Sequence, residues 1–396
     1  MSVYLDHAAT APLRPEARDA WIRATQSLGN ASSIHGAGQA ARRHLEDARE
    51  RLATALGCDP IEVVLTSGGT ESVNLAVKGL WWARAAGSEA VVLPDGEHHA
   101  TLDAVGWLAG AQGAHVRPVA LDPDGAIPVD AFAAALPGAA FASALVANNE
   151  VGTLNDAPGL ARAAADGGVP LHLDAVSAFG HVPVDFAEWR ADAAGHAGLV
   201  ALSISAHKIG GPVGVGALVV SRHAALAPLL HGGGQQRGLR AGTQDVAGAA
   251  AFATAAELAI AEREAEAARL SGLRDRLVRG ILSSVPDAEL LGSDRERLPG
   301  NAHVLFSGAF GETLLFLLDQ SGISVSTGSA CQAGVPEPSH VVLAMGRTDA
   351  EARQVLRFTL GRTSTDADVE AALAAVPAAV ERARAAASGT RSAARS

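Results

Sequence analysis

Through roughly the first 250 residues, short β-branched runs alternate with longer Ala/Leu/Arg helical patterns, and that alternation leaves few folds open. Val63-Val-Leu-Thr, Ala90-Val-Val-Leu, Ala144-Leu-Val-Ala, Pro170-Leu-His-Leu-Asp, Leu199-Val-Ala-Leu-Ser-Ile and Gly216-Ala-Leu-Val-Val are each short enough for one strand. The stretches between them suit crossover helices, which parallel strands require. The expected fold is therefore α/β, a mostly parallel sheet flanked by helices, with polar or Gly-rich segments at the strand ends where such sheets collect ligands. Residues from about 244 to 280 are Ala/Glu/Arg/Leu-rich without proline and predict a long helix leading out of this domain. At 396 residues the chain exceeds what one core usually carries. A smaller α+β domain is expected beyond the helix, built from strand-like Ala302-His-Val-Leu-Phe and Val355-Leu-Arg-Phe-Thr-Leu and helical Glu312-Thr-Leu-Leu-Phe-Leu-Leu. The last ten or so residues show no apolar period and predict disorder.

Among 31 basic residues only Lys78 and Lys208 are lysines. A chain that uses arginine nearly everywhere for positive charge keeps lysine where a neutral amine is needed, because guanidinium stays protonated and cannot form a Schiff base. Lys208 lies in Ser203-Ile-Ser-Ala-His-Lys-Ile-Gly-Gly-Pro-Val-Gly, whose hydroxyl, imidazole and close-approach backbone groups suit a phosphate held beside the amine. That combination points to pyridoxal phosphate (PLP). Thr66-Ser-Gly-Gly-Thr-Glu-Ser supports it: a glycine turn there would expose N–H groups at a helix start, where Gly69 and the Thr70 hydroxyl can hold a phosphate dianion. Asp174, closing Leu171-His-Leu-Asp, is placed to keep a pyridine nitrogen protonated.

Composition limits the alternatives. A formal charge of −11 disfavours a general nucleic-acid binder. No run of about 18 uncharged apolar residues appears, and Met-Ser-Val-Tyr-Leu-Asp-His lacks signal-peptide regions, so a soluble cytoplasmic protein without membrane attachment is expected. Two cysteines with no Cys-x-x-Cys pair argue against a disulfide framework and a structural zinc site. Cys58 ends a helical pattern and reads as a packed residue. Cys331, in Ser326-Thr-Gly-Ser-Ala-Cys-Gln-Ala-Gly-Val-Pro, reads as an accessible, reactive loop thiol.

From Tyr4-Leu-Asp-His-Ala-Ala-Thr through Gly29-Asn-Ala-Ser-Ser-Ile-His, Thr66-Ser-Gly-Gly-Thr-Glu-Ser, Glu97-His-His-Ala, Asn148-Asn-Glu-Val-Gly, His172-Leu-Asp-Ala, Ser205-Ala-His-Lys, Gly232-Gly-Gly-Gln-Gln-Arg-Gly-Leu-Arg-Ala-Gly-Thr, Ser326-Thr-Gly-Ser-Ala-Cys and Leu356-Arg-Phe-Thr-Leu-Gly-Arg, the chain resembles the PLP-dependent cysteine desulfurases, motif by motif and in order. These are fold type I enzymes of the class V aminotransferase group, and the Cys331 loop is similar to that of their long-loop subgroup. The resemblance implies a large domain at 16–255, a small domain at 1–15 and 256–385 carrying the Cys331 loop, and a tail at 386–396. It implies that Lys208 carries the cofactor, Asp174 meets its pyridine nitrogen, and His98 stacks on the ring with a possible acid/base role. Thr70, Ser205 and His207 match phosphate ligands, and Thr243 matches a threonine that reaches the phosphate of a neighbouring subunit, which implies a homodimer. Asn149 and Arg357 match residues that hold the substrate carboxylate.

The implied reaction converts L-cysteine to L-alanine and leaves sulfur on Cys331 as a persulfide, for an iron–sulfur scaffold or another acceptor protein serving cluster assembly or tRNA and cofactor thiolation. One departure stands out: Ser177 occupies the place of a usual glutamine that donates to the cofactor's phenolic oxygen, so a bridging water is expected to assist. Other class V activities (aminotransferase, cysteine or selenocysteine lyase) and a non-catalytic PLP-fold scaffold are the rival readings. Alanine production from cysteine separates them.

Overall fold

Seven strands among the described residues form one sheet, in the spatial order Val63–Thr66, Gly216–Val220, Gly198–Ser205, Pro170–Asp174, Ala139–Leu145, Ala90–Pro94 and His115–Val119. The structure, a computed structural model, describes residues 2–190, 193, 195–328 and 337–393. Neighbouring strands run parallel except for Gly216–Val220, which is antiparallel to both strands beside it. The central strands are buried on both faces, as parallel sheets covered by helices require.

Two strands differ from expectation. The run at Ala144 proves to be the end of a longer strand, Ala139–Leu145. Its sequence Ala-Ala-Phe-Ala-Ser-Ala-Leu favours helix on propensity alone, and burial between helices overrides that preference. His115–Val119 was not expected at all, since Arg117 and Pro118 break an apolar run; it survives because it is the sheet edge, where proline is tolerated.

A second, three-stranded antiparallel sheet has the order Val355–Thr359, Asn301–Phe306, Ala288–Leu291. Val3–Tyr4 pairs in parallel with Ile323–Ser324 beside it. The predicted long helix spans Val246–Ser284. Its Phe252 and Ala256 join the core around the large sheet, whereas Leu273, Leu277 and Ile281 join a separate core with Val3, Leu5 and Phe358. We propose on this basis that residues 16–255 form a large unit and 1–15 with 256–385 a smaller one, the long helix passing between them. Helix Asp366–Ala393 extends beyond residue 386, where Ala385-Ala-Ala favours helix.

Candidate active site

A cavity of about 390 Å³ opens at the carboxyl ends of strands Pro170–Asp174 and Gly198–Ser205. Gly69, Thr70, His98, Asn149, Asp174, Ser177, Ser205, His207, Lys208 and Arg357 all line it. Residues scattered over almost 290 positions of sequence are thus brought to one pocket, as expected for an open α/β sheet. Thr243 does not line it and lies exposed on a loop. Cys331 lies outside the described residues.

Strand Val63–Thr66 turns through Gly68 into helix Gly69–Trp82. Gly68 has a φ of 149°, and a side chain at Gly216 would meet the Gly68 Cα at 2.6 Å, so two glycines let the turn approach the neighbouring strand. The turn is clamped from outside: Glu71 accepts from the Ser67 N–H at 2.7 Å and pairs with Arg240 at 2.8 Å. Gly69 and Thr70, at the start of the helix where N–H groups lack intrahelical partners, share the cavity wall with Ser205 and His207. The Ser205 Oγ is buried and has no hydrogen-bond partner within the protein. An anion at this helix start would satisfy it.

Lys208 sits in a short 3-10 turn after strand Gly198–Ser205, and its Nζ donates to the carbonyls of Ala8 at 2.5 Å and Ala9 at 3.0 Å. Burial, helped by the Arg357 charge, brings its pKa down to about 8. Asp174 accepts from the Val176 N–H at 2.9 Å, and burial raises its pKa to about 6. Such a carboxylate is short of a cationic partner. His98 caps helix His99–Gln112, its Nδ1 accepting from the Ala100 N–H at 3.0 Å, which leaves the ring hydrogen on Nε2. Its ring is open to the cavity yet sunk among protein walls; desolvation, then Lys208, holds it neutral with a pKa of about 4. Beneath it, burial raises Glu97 well above the usual carboxylate range, and one of its oxygens accepts from the Leu145 N–H at 2.8 Å.

Arg357 projects from strand Val355–Thr359. Its Nη1 donates to the Asn149 carbonyl at 2.7 Å and its Nη2 to Asp6 at 3.0 Å, while the buried Nε finds no partner within the protein. The turn that carries Asn149 is stapled by further donors: Asn301 and His303 both reach the Glu150 carbonyl at 3.1 Å, Arg297 the Val151 carbonyl at 2.8 Å, and the Leu298 N–H the Gly152 carbonyl at 2.8 Å. The backbone of Arg357 also pairs with Ser326, which starts the Cys331 segment at the cavity wall. Sequence reasoning assigned no role to Asp6, Glu71 or Arg240. All three stand inside motifs of the sequence, but only the fold reveals their partners.

These residues fit PLP: an amine of lowered basicity, a buried carboxylate short of a cation, an imidazole wall, and a helix start with an unpartnered hydroxyl meet in one cavity of suitable size. Cys58, the other thiol, is half-buried, and burial drives its pKa to about 12, so it is inert.

The profile of the family described as Aminotransferase class-V matches residues 3–372. An IscS-like cysteine desulfurase of Mycobacterium tuberculosis is 49% identical over 391 residues, covering 97% of this chain and 98% of its own. A cysteine desulfurase IscS of Methanosarcina thermophila is 39% identical, covering 97% and 93% respectively. Among solved structures, a NifS-like protein superposes with a TM-score of 0.88 at 30% identity over 96% of this chain and 100% of its own. A structure titled SspA in complex with cysteine gives 0.78 at 29% identity over 91% and 99%. The chain therefore belongs to the aminotransferase class-V family, as a PLP-dependent cysteine desulfurase.

Proposed function

We propose that the protein takes L-cysteine, releases L-alanine and leaves the sulfur on Cys331 as a persulfide, Cys331–S–SH, for transfer to an acceptor protein such as an iron–sulfur scaffold. The observation that carries this reading is the placement of Lys208, Asp174, His98 and Arg357 around one cavity whose wall begins the Cys331 segment.

Lys208 is the attachment point of the cofactor, Asp174 the partner of its ring nitrogen, and Thr70, Ser205 and His207 the cradle of its phosphate. When bound, PLP supplies an electron sink that lowers the cost of removing a proton from the substrate α-carbon. Arg357 orients the amino acid by its carboxylate, with Asn149 beside it. The lowered basicity of Lys208 suits it to accept the α-proton: an amine with a pKa of about 8 is roughly one-tenth neutral at pH 7, against less than one part in a thousand for an ordinary lysine. His98, kept neutral with its hydrogen on Nε2, can donate without adding charge to the site. The Cys331 thiolate attacks the substrate sulfur; the S–C bond breaks, its electrons stay with the carbon skeleton, and protonation gives alanine.

Thr243 is proposed to reach the phosphate of a second copy of the chain, which makes the working unit a homodimer. No helix among the described residues is long and apolar enough to cross a membrane, and we place the protein in the cytoplasm. The test adds L-cysteine to the PLP-loaded protein and measures alanine together with protein-bound sulfane sulfur. Equal amounts of both in a single turnover support the reading; alanine with free sulfide and no persulfide overturns the role of Cys331.

A further inference from the structure

Two smaller cavities, each of about 50 Å³, adjoin the active site. Lys208 lines both of them and the main cavity as well. The first meets the site at Ser177, which lines both. His7 and His181 line the first and the second, so the two meet at this histidine pair. The second ends beside Glu262 and Glu266 of the long helix, whose side chains are partly exposed. A chain of adjoining spaces thus runs from Lys208 to the protein surface.

Two residues on its walls, His7 and Asn301, each carry a polar atom with no partner within the protein, Nδ1 and Oδ1, although they are only 6% and 2% exposed. Native proteins rarely leave buried polar atoms unsatisfied, and water meets the need where a cavity is polar and large enough. At about 10–15 Å³ of accessible space per molecule, each cavity has room for about three to five waters. Burial keeps His7 neutral, at a pKa of about 4, and lowers His181 too, so each ring can take a hydrogen at one nitrogen and release one from the other without a lasting charge.

We propose that Lys208 exchanges its protons with bulk water through this hydrated passage, from Ser177 past His7 and His181 to the Glu262–Glu266 edge, rather than through the mouth that substrate occupies. The passage rests on the assignment of Lys208 as proton acceptor. It determines whether a proton taken from substrate is returned intact or replaced from solvent, and only a proton moves along it.

An experimental high-resolution structure, with and without PLP, is expected to show ordered waters bonded to Asn301 Oδ1 and His7 Nδ1; dry cavities overturn the passage. A second measurement follows deuterium entry from heavy water into the α-carbon of alanine by NMR with the PLP-loaded protein. Leu298→Phe enlarges a side chain lining the first cavity, and Ala259→Val narrows the second should the first variant misfold. Several-fold slower entry at unchanged alanine affinity is the expected result, and an unchanged rate in a folded variant overturns the route. If waters are present but the unaltered enzyme exchanges nothing, the failure belongs to the proton-acceptor role of Lys208 and not to the hydration.

Discussion

Arg357 and Asp6 are joined at 3.0 Å, so the guanidinium proposed to hold the substrate carboxylate is already oriented and partly neutralised by a carboxylate 351 positions away in sequence. With Nη1 committed to the Asn149 carbonyl, Nε and the shared Nη2 are what a substrate carboxylate can use. Arg357→Ala should weaken L-cysteine binding by about 2–5 kcal/mol, read as a rise in KM. Asp6→Asn keeps an acceptor for Nη2 but removes the competing charge, so simple carboxylate inhibitors should bind roughly three- to tenfold more tightly. Inhibition constants check the sign; weaker binding would make Asp6 a pure orienting group.

Lys208→Ala should abolish the visible absorption of the bound cofactor and the formation of alanine. Lys78 cannot substitute, because its ammonium lies over the Trp107 ring, 4.8 Å from the centroid, and it does not line the cavity. Lys78→Arg should leave the spectrum and the rate unchanged. Absorbance spectra and an alanine assay decide both.

Asp174→Asn should separate stability from function. The folded carboxylate has a pKa of about 6 against an ordinary 3.8, so the folded state binds the proton more tightly. That contribution is fully present below pH 4 and is lost as pH rises through 6, leaving a penalty of about 3 kcal/mol at neutral pH without cofactor. The variant should therefore be more stable than the parent at pH 7, gain little at pH 4, and lose activity. Chemical denaturation of the cofactor-free proteins at the two pH values is the measurement.

Cys331→Ser should retain PLP and bind L-cysteine but form no persulfide, since a hydroxyl cannot take sulfur as a thiolate does. Mass spectrometry of the protein after one turnover checks it. Continued alanine formation without added thiol would favour a lyase.

Ser177→Gln should shift the pH titration of the cofactor's visible band, because a longer amide would replace whatever now supports the phenolic oxygen. An unchanged titration in a folded, loaded variant would make the difference at this position neutral.

The site was legible in sequence where chemistry demands a particular residue type. Lys208 stood out because arginine carries almost every other positive charge, and the Gly68–Gly69 turn because its glycines precede a helix. Asp6 was not legible in the same way: its partner is supplied by a strand near the other end of the chain, and no local pattern encodes that meeting. The fold followed the same division. Val63–Thr66 and Gly216–Val220 announced themselves by β-branched residues, while Ala139–Leu145 hid behind alanine's helical preference, and only the helices packed on both of its faces make it a strand.

The carbonyls that receive the Lys208 amine belong to Ala8 and Ala9, and the same segment is fastened through Ala8 to the hydroxyl of Thr359 and through Leu5 to Ser324. During synthesis those first residues leave the ribosome long before the strand that anchors them exists. The sheet carrying Lys208 can form early, but the pocket around its amine must wait for residue 359, and until then an apolar segment with Val3 and Leu5 is unpaired. A ribosome stalled before that strand would thus carry the sheet that bears Lys208 without the wall that closes around its amine.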